Sequence, residues 1–121
     1  MVQTIGKKQF PYRGEIYWAN LDPTVGSETQ KKRPVLILSN NQANEFSELV
    51  MVAPITSKIK KIYQFEVKTI VNGKAAKIML NQCRAIDQLR LEGRIEAIDQ
   101  VTMLYVENAI RLVFALPEVC L

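Results

Sequence analysis

Apolar and polar positions alternate in short runs over most of the chain and change to a helical spacing only near its end. Residues 15–21, Glu-Ile-Tyr-Trp-Ala-Asn-Leu, are rich in β-formers and predict a first strand. Residues 34–39 begin Pro-Val-Leu-Ile-Leu, apolar at successive positions, which predicts a central strand covered on both faces. Residues 49–54 are apolar again and predict a third strand. Tyr63-Gln-Phe-Glu-Val alternates with period two, as a half-exposed strand does. Asn72-Gly73 predicts a tight hairpin into a strand over 75–80. Residues 84–88 predict a last short strand, and Gly93 a turn over 90–94.

Two segments break the strand pattern. Residues 40–46 are short and polar and predict one helical turn behind an Asn cap. From Asp99, a good N-cap residue, the spacing becomes helical and runs to about Leu116, with Pro117 as the stop. Val101, Leu104, Tyr105, Leu112 and Ala115 form one stripe of this helix; Met103, Val106, Ile110, Val113 and Phe114 form another. Its only charges are Asp99, Glu107 and Arg111, the last two spaced as an i,i+4 pair. A small barrel can cover one apolar side. The side containing Met103, Val106, Ile110 and Phe114 is expected to face a second copy, which predicts a homodimer.

Short strands, tight turns and one terminal helix predict a mainly β fold, a small barrel or curled sheet with a helix packed on it. At 121 residues the chain is expected to be one domain, with residues 1–12 a loose arm. The net charge of +4 leaves an anionic partner open. Cys83 and Cys120 make no metal-ligand or disulfide pattern, which points to a reducing cytoplasm. No signal peptide or membrane-length apolar run is visible. The chain has no histidine. That excludes Ser-His-Asp and Cys-His nucleophile systems, HExxH zinc sites and two-histidine ribonuclease chemistry. No metal or other cofactor is expected.

One ordered set of motifs goes further. Arg13-Gly14-Glu15-Ile16-Tyr17-Trp18 opens the first strand, and Leu21-Asp22-Pro23-Thr24-Val25-Gly26-Ser27-Glu28 leads into the loop after it. Arg33-Pro34-Val35 opens the second strand, Pro54-Ile55-Thr56-Ser57 ends the third, and Arg84-Ala85-Ile86-Asp87 follows. Five such motifs in this order resemble the MazF/PemK (Kid) family of toxin endoribonucleases, from about Arg13 to the terminal helix. The resemblance implies an SH3-like barrel with a C-terminal helix, assembled as a homodimer. It implies a metal-independent, sequence-specific ribonuclease that cuts single-stranded mRNA and is held in check by a cognate antitoxin. It also implies that Arg33 and Thr56 are the catalytic pair, with Glu28 as the loop carboxylate.

The chemistry suits those residue types. A ribonuclease without metal uses the 2′-OH of its own substrate as nucleophile, leaving a 2′,3′-cyclic phosphate and a 5′-OH. The 2′-OH must lose a proton, the phosphate must be stabilised and the leaving oxygen must gain a proton. Arg33 offers a planar fork to two phosphate oxygens, and Pro34 restricts its backbone. Thr56 can donate to the same phosphate, and Glu28 is the nearby carboxylate. Ser27, Lys31, Lys32 and Lys58 are expected to meet the RNA, the lysines through phosphates. Asn81 and Gln82 are candidate readers of base edges. Some relatives carry an acid where Asn81 stands, and Asn cannot act as a base. Taken singly, Arg33, Glu28 and the run Lys58, Lys60, Lys61 would read as solvated surface charges. Two other functions fit the same barrel: a non-catalytic binder of antitoxin or nucleic acid, and a topoisomerase-inhibiting toxin. Arg33 and Thr56 together favour the enzyme.

Overall fold

A computed structural model of the chain describes residues 10–23, 25–28 and 31–117. The arm expected at the N-terminus lies outside these up to residue 9, as do Thr24 of the first loop and Cys120. The strands are β1 (Glu15–Asn20), β2 (Lys32–Ile37), β3 (Leu49–Thr56), β4 (Glu66–Val71), β5 (Lys74–Met79), β6 (Arg84–Asp87) and β7 (Leu91–Ala97). The helices are α1 (Asn41–Phe46) and α2 (Gln100–Phe114). The strands form one curled antiparallel sheet in the order β4-β5-β3-β2-β1-β7, with β6 also paired to β3. This is the small barrel with a C-terminal helix that the sequence predicts.

β2 sits mid-sheet and is apolar on both faces, as its composition demands. Leu36 faces one core with Ile16, Ala53, Ile55, Ile78 and, from α2, Val106 and Ala109. Val35 and Ile37 face a second, with Ala19, Leu21, Val50, Val52 and Ile86. The β4–β5 hairpin turns at Asn72 and Gly73, both at positive φ, as a two-residue turn matched to strand twist requires. The register of that hairpin starts β4 at Glu66, so Tyr63, Gln64 and Phe65 fall outside the ladder where alternation had placed a strand.

Gly93 does not make a turn. It lies inside β7, opposite Trp18 on β1. Glu92, Arg94 and Glu96 alternate along β7 with Leu91, Gly93, Ile95 and Ala97, so every second position is charged, and its pairing to β1 shifts register in two places. These are features of an edge strand, whose charges and irregularity discourage further pairing. Arg94 holds the buried carboxylate of Glu15 across this pair at 2.6 Å. Burial, and then the adjacent Glu15, push the Tyr17 hydroxyl above its ordinary pKa.

Asn40 caps α1 by accepting from the Ala43 N–H, and Asp99 caps α2 by accepting from the Thr102 N–H at 2.7 Å. α2 ends with Ala115 at φ 55 and bonds from the Ala115 and Leu116 N–H groups back to Leu112 and Arg111. This is a Schellman closure, with Pro117 just beyond it. Glu107 pairs with Arg13 at 3.1 Å. The two stripes of α2 are the ones read from sequence, but their roles are reversed. Val106 is buried, and Met103, Ile110 and Val113 pack on the barrel core. Val101, Leu104, Tyr105 and Leu112 lie open, and Phe114 stands exposed at the flank. Composition gives both stripes equal apolar weight, so only docking on the sheet chooses between them.

Candidate functional site

The β2–β3 ladder ends at Val35↔Pro54. Continuing that register by two residues brings Arg33 level with Thr56, beyond the last paired residues. On the other side of β3, Thr56 pairs with Lys77 of β5. Arg33, Thr56 and Lys77 therefore stand in one row across neighbouring strands, and residues level in an antiparallel sheet point to the same face. They line one hollow of about 360 Å³ with Ser27, Glu28 and Lys58.

A second hollow, of about 480 Å³, adjoins it and shares Ser27 and Glu28. It exists because β5 and β6 follow the same edge of β3 but do not join smoothly. β5 pairs with Ile55 and Thr56, β6 pairs with Leu49 to Val52, and a tight turn, Leu80–Gln82, bulges between them. That bulge presents Asn81 and Gln82 to the hollow beside Cys83, Arg84 and Pro54. Burial pushes the Cys83 thiol above its ordinary pKa, which keeps it protonated at neutral pH and unsuited to nucleophilic attack.

The loop between β1 and β2 carries its own scaffold. Glu28 accepts the Val25 N–H at 2.6 Å, and Gly26 supplies the positive φ between them. This compact turn sets Ser27 and Glu28 between the two hollows. The loop stem is closed by the Leu21 N–H on the Lys31 carbonyl and the Lys31 N–H on the Asp22 carboxylate. Two guanidiniums from elsewhere in the chain grip the same stem. Arg90 donates to the carbonyls of Asn20 and Asp22, and Arg84 to that of Leu21 at 3.4 Å.

Of the residues singled out in the sequence, Ser27, Glu28, Arg33, Thr56, Lys58, Asn81 and Gln82 all line these joined hollows. Lys31 and Lys32 line neither. Lys31 closes the loop stem at φ 68. Lys32 precedes Arg33 in the same strand, so it points to the opposite face and pairs with Glu92 at 3.0 Å. Sequence reasoning missed Lys77, Arg84 as a side chain of the second hollow, and Arg90. Lys77 is 8 % exposed, pairs with Glu66 at 2.8 Å and still reaches the hollow. An isolated Lys in an alternating strand carries no signal of that burial. Thr56 is also buried, and its Oγ1 accepts the Lys58 N–H at 3.2 Å. With the oxygen so engaged, the hydroxyl proton is what Thr56 can offer an anion.

The row therefore gathers cationic and hydroxyl donors under one loop carboxylate. That arrangement can hold a phosphodiester and stabilise charge on it. Among the described residues no three His, Cys, Asp or Glu side chains stand together as metal ligands would. No helix among them is long and apolar enough to cross a membrane.

The fold recurs in solved structures, and the sequence matches named relatives over most of its length. The chain is 37 % identical over 109 residues to the endoribonuclease EndoA of Bacillus subtilis, covering 86 % of this chain and 94 % of that one. The crystal structure of MazF from Deinococcus radiodurans superposes with a TM-score of 0.80 at 25 % identity, covering 89 % of this chain and 99 % of that one. A mycobacterial endoribonuclease in complex with its cognate antitoxin has the same fold, with a TM-score of 0.75 at 19 % identity over 89 % of this chain and 98 % of that one. The family model for PemK-like, MazF-like toxins matches residues 12–114, from the turn before β1 to the last residue of α2. The chain belongs to this family of toxins of type II toxin-antitoxin systems.

Proposed function

We propose that the joined hollows are the active site of a MazF-like endoribonuclease that cuts single-stranded RNA, with the scissile phosphate between Arg33 and Thr56. The observation that carries this reading is the level placement of those two side chains where β2 and β3 part, under the loop that bears Glu28. The 2′-oxygen attacks phosphorus as the bond to the 5′-oxygen breaks. The 2′ proton passes to a base and the leaving 5′-oxygen takes up a proton. Arg33 and Thr56 donate to the non-bridging oxygens as charge builds there. Glu28 is the carboxylate in reach of the hollow, although one of its oxygens already holds the Val25 N–H. Arg33 can act as a fixed cationic donor throughout, with no proton transfer of its own.

Lys58 supports binding through phosphate contact, and Asn81 and Gln82 support reading of base edges in the second hollow. The cationic and hydroxyl donors of the row can stabilise the phosphate themselves, which supports a metal-independent reaction. Cleavage is expected to persist in excess EDTA and to leave 2′,3′-cyclic phosphate and 5′-OH ends by mass spectrometry. An all-DNA version of a cut sequence should stay intact, because it lacks the nucleophile. Cleavage of that DNA, or loss of RNA cleavage in EDTA, contradicts the mechanism.

Loop geometry should matter as much as the donors. Among the described residues Arg90 meets the loop at its stem, where it positions Ser27 and Glu28 from a distance. Arg90→Ala is expected to slow cleavage on the order of 10–100-fold, the scale that a displacement of about 1 Å costs. Binding of uncut RNA should change far less, and Arg90→Lys should recover part of the rate. Equal losses in KM and in kcat for Arg90→Ala would make it a general support of the fold instead.

Control and assembly follow the family. The antitoxin complex of the mycobacterial neighbour supports a cognate antitoxin as partner. The open stripe Val101, Leu104, Tyr105 and Leu112 supports a homodimer that covers it. The chain acts as a single cytoplasmic domain, where its RNA substrate resides.

A further inference from the structure

The segment between β3 and β4 contains a feature that the reaction described above does not use. Residues 57–65 hold Lys58, Lys60 and Lys61, and no acid. At their end the rings of Tyr63 and Phe65 lie parallel, 8° apart, with centroids 5.5 Å from each other. Tyr63 nevertheless remains 45 % exposed.

These rings are fixed relative to the hollow. Lys77, which lines the hollow beside Thr56, donates its ammonium to the Lys61 carbonyl and the Glu66 carboxylate, each at 2.8 Å. The same Glu66 oxygen accepts the Tyr63 N–H at 2.9 Å. One buried ammonium thus ties the backbone on both sides of Ile62 to the wall of the site. The Lys77 and Lys61 ammonium groups lie 5.7 and 5.1 Å from the Tyr63 ring centroid. Lys61 is exposed, so its charge can leave the ring for a phosphate.

An exposed tyrosine ring backed by a half-buried phenylalanine, with one fixed ammonium and one exposed lysine beside it, has the chemistry of a single-stranded nucleic-acid platform. The bases of an unpaired strand stack on aromatic rings whatever their sequence, while lysines meet the phosphates between them. We propose that Tyr63, backed by Phe65, stacks a nucleobase of the RNA beside the cleaved linkage, with Lys61 on the adjoining phosphate. This inference rests on the ribonuclease reading and adds a subsite to it. Lys77 then has two roles: it walls the hollow and sets the distance from the cleaved phosphate to the stacked base.

The test uses short single-stranded RNAs that the parent cuts, each with 2-aminopurine at one position, bound to the Arg33→Ala protein. Fluorescence should be quenched by stacking at one position near the cleavage site. Tyr63→Leu in that background should abolish this quenching and weaken RNA binding roughly five- to hundred-fold, while Tyr63→Phe retains both. With Arg33 intact, Tyr63→Leu should still cut at the same linkage with raised KM, which also shows that it folds. Phe65→Leu provides a second variant, with a smaller loss. Quenching unchanged in both leucine variants overturns the subsite. Unchanged quenching with weakened antitoxin binding also overturns it and assigns the rings to a protein partner. A parent that cuts RNA without quenching any 2-aminopurine rejects the platform alone, whereas a parent that cuts no RNA rejects the ribonuclease reading with it.

Discussion

Arg33→Ala and Thr56→Ala are each expected to lose about 100–1,000-fold in RNA cleavage, the typical cost of removing one preorganised donor to a transition state. The two sites differ in their surroundings, and so should the variants. Arg33 is half-buried near the start of β2, past the last pairing with β3 but opposite Ala19 of β1, so truncating its side chain removes a phosphate donor and leaves that backbone pairing in place. Thr56 is buried and its oxygen accepts the Lys58 N–H. Thr56→Ala therefore removes a donor and also leaves the Lys58 N–H without that acceptor. Thr56→Ser separates the two effects, since it keeps the hydroxyl and loses a methyl group. It should retain most activity while Thr56→Ala does not. Single-turnover kinetics on a defined RNA measures each step, and circular dichroism checks that the variants stay folded. Wild-type cleavage by Arg33→Ala would mean that the phosphate binds elsewhere.

A second large effect is expected on α2, with opposite outcomes for residues on its two faces. Ile110 packs against the barrel core. Ile110→Lys should cost roughly 2–4 kcal/mol of folding stability, because it puts an ammonium where an alkyl chain was and opens a packing defect. Leu104 is 65 % exposed on the open stripe. Leu104→Lys should leave the melting temperature of the isolated fold nearly unchanged. It should weaken the proposed dimer by about 3 kcal/mol, a factor of roughly 100 in dissociation constant, from lost apolar burial and an added charge. Sedimentation velocity across a dilution series distinguishes the two. A Leu104→Lys protein that remains dimeric to the same dilution as the parent would place the interface on another face. Ile110→Lys is therefore a probe of the barrel core, and in the proposed dimer the residues expected to report on assembly are those of the Leu104 stripe.

The sequence alone determined the number and kind of most elements, because their signals are local. The doubly apolar run at 34–38 can only be covered on both faces, and β2 lies between two cores. Asn72-Gly73 can adopt paired positive φ values cheaply, and the hairpin turns there. Asp99 and Pro117 bracket α2. The ordered motifs also point to the family and to Arg33, Thr56 and Glu28, while the amide side chains of Asn81 and Gln82 suggest base-edge readers by their chemistry alone. The tertiary structure decided what depends on partners distant in the chain. β7 runs straight through Gly93, where the sequence predicts a turn over 90–94, because the edge of β1 was available to pair with it. The barrel selected the Val106 stripe of α2 over the Leu104 stripe, which composition alone could not distinguish. Strand alternation sent Lys32 to Glu92 and Arg33 to the hollow, although the two are neighbours in a single basic run. Arg90 gripping the loop stem and Lys77 buried beside Thr56 are long-range meetings. Local propensity does not register them, since they follow from which strand edges come together when the sheet curls.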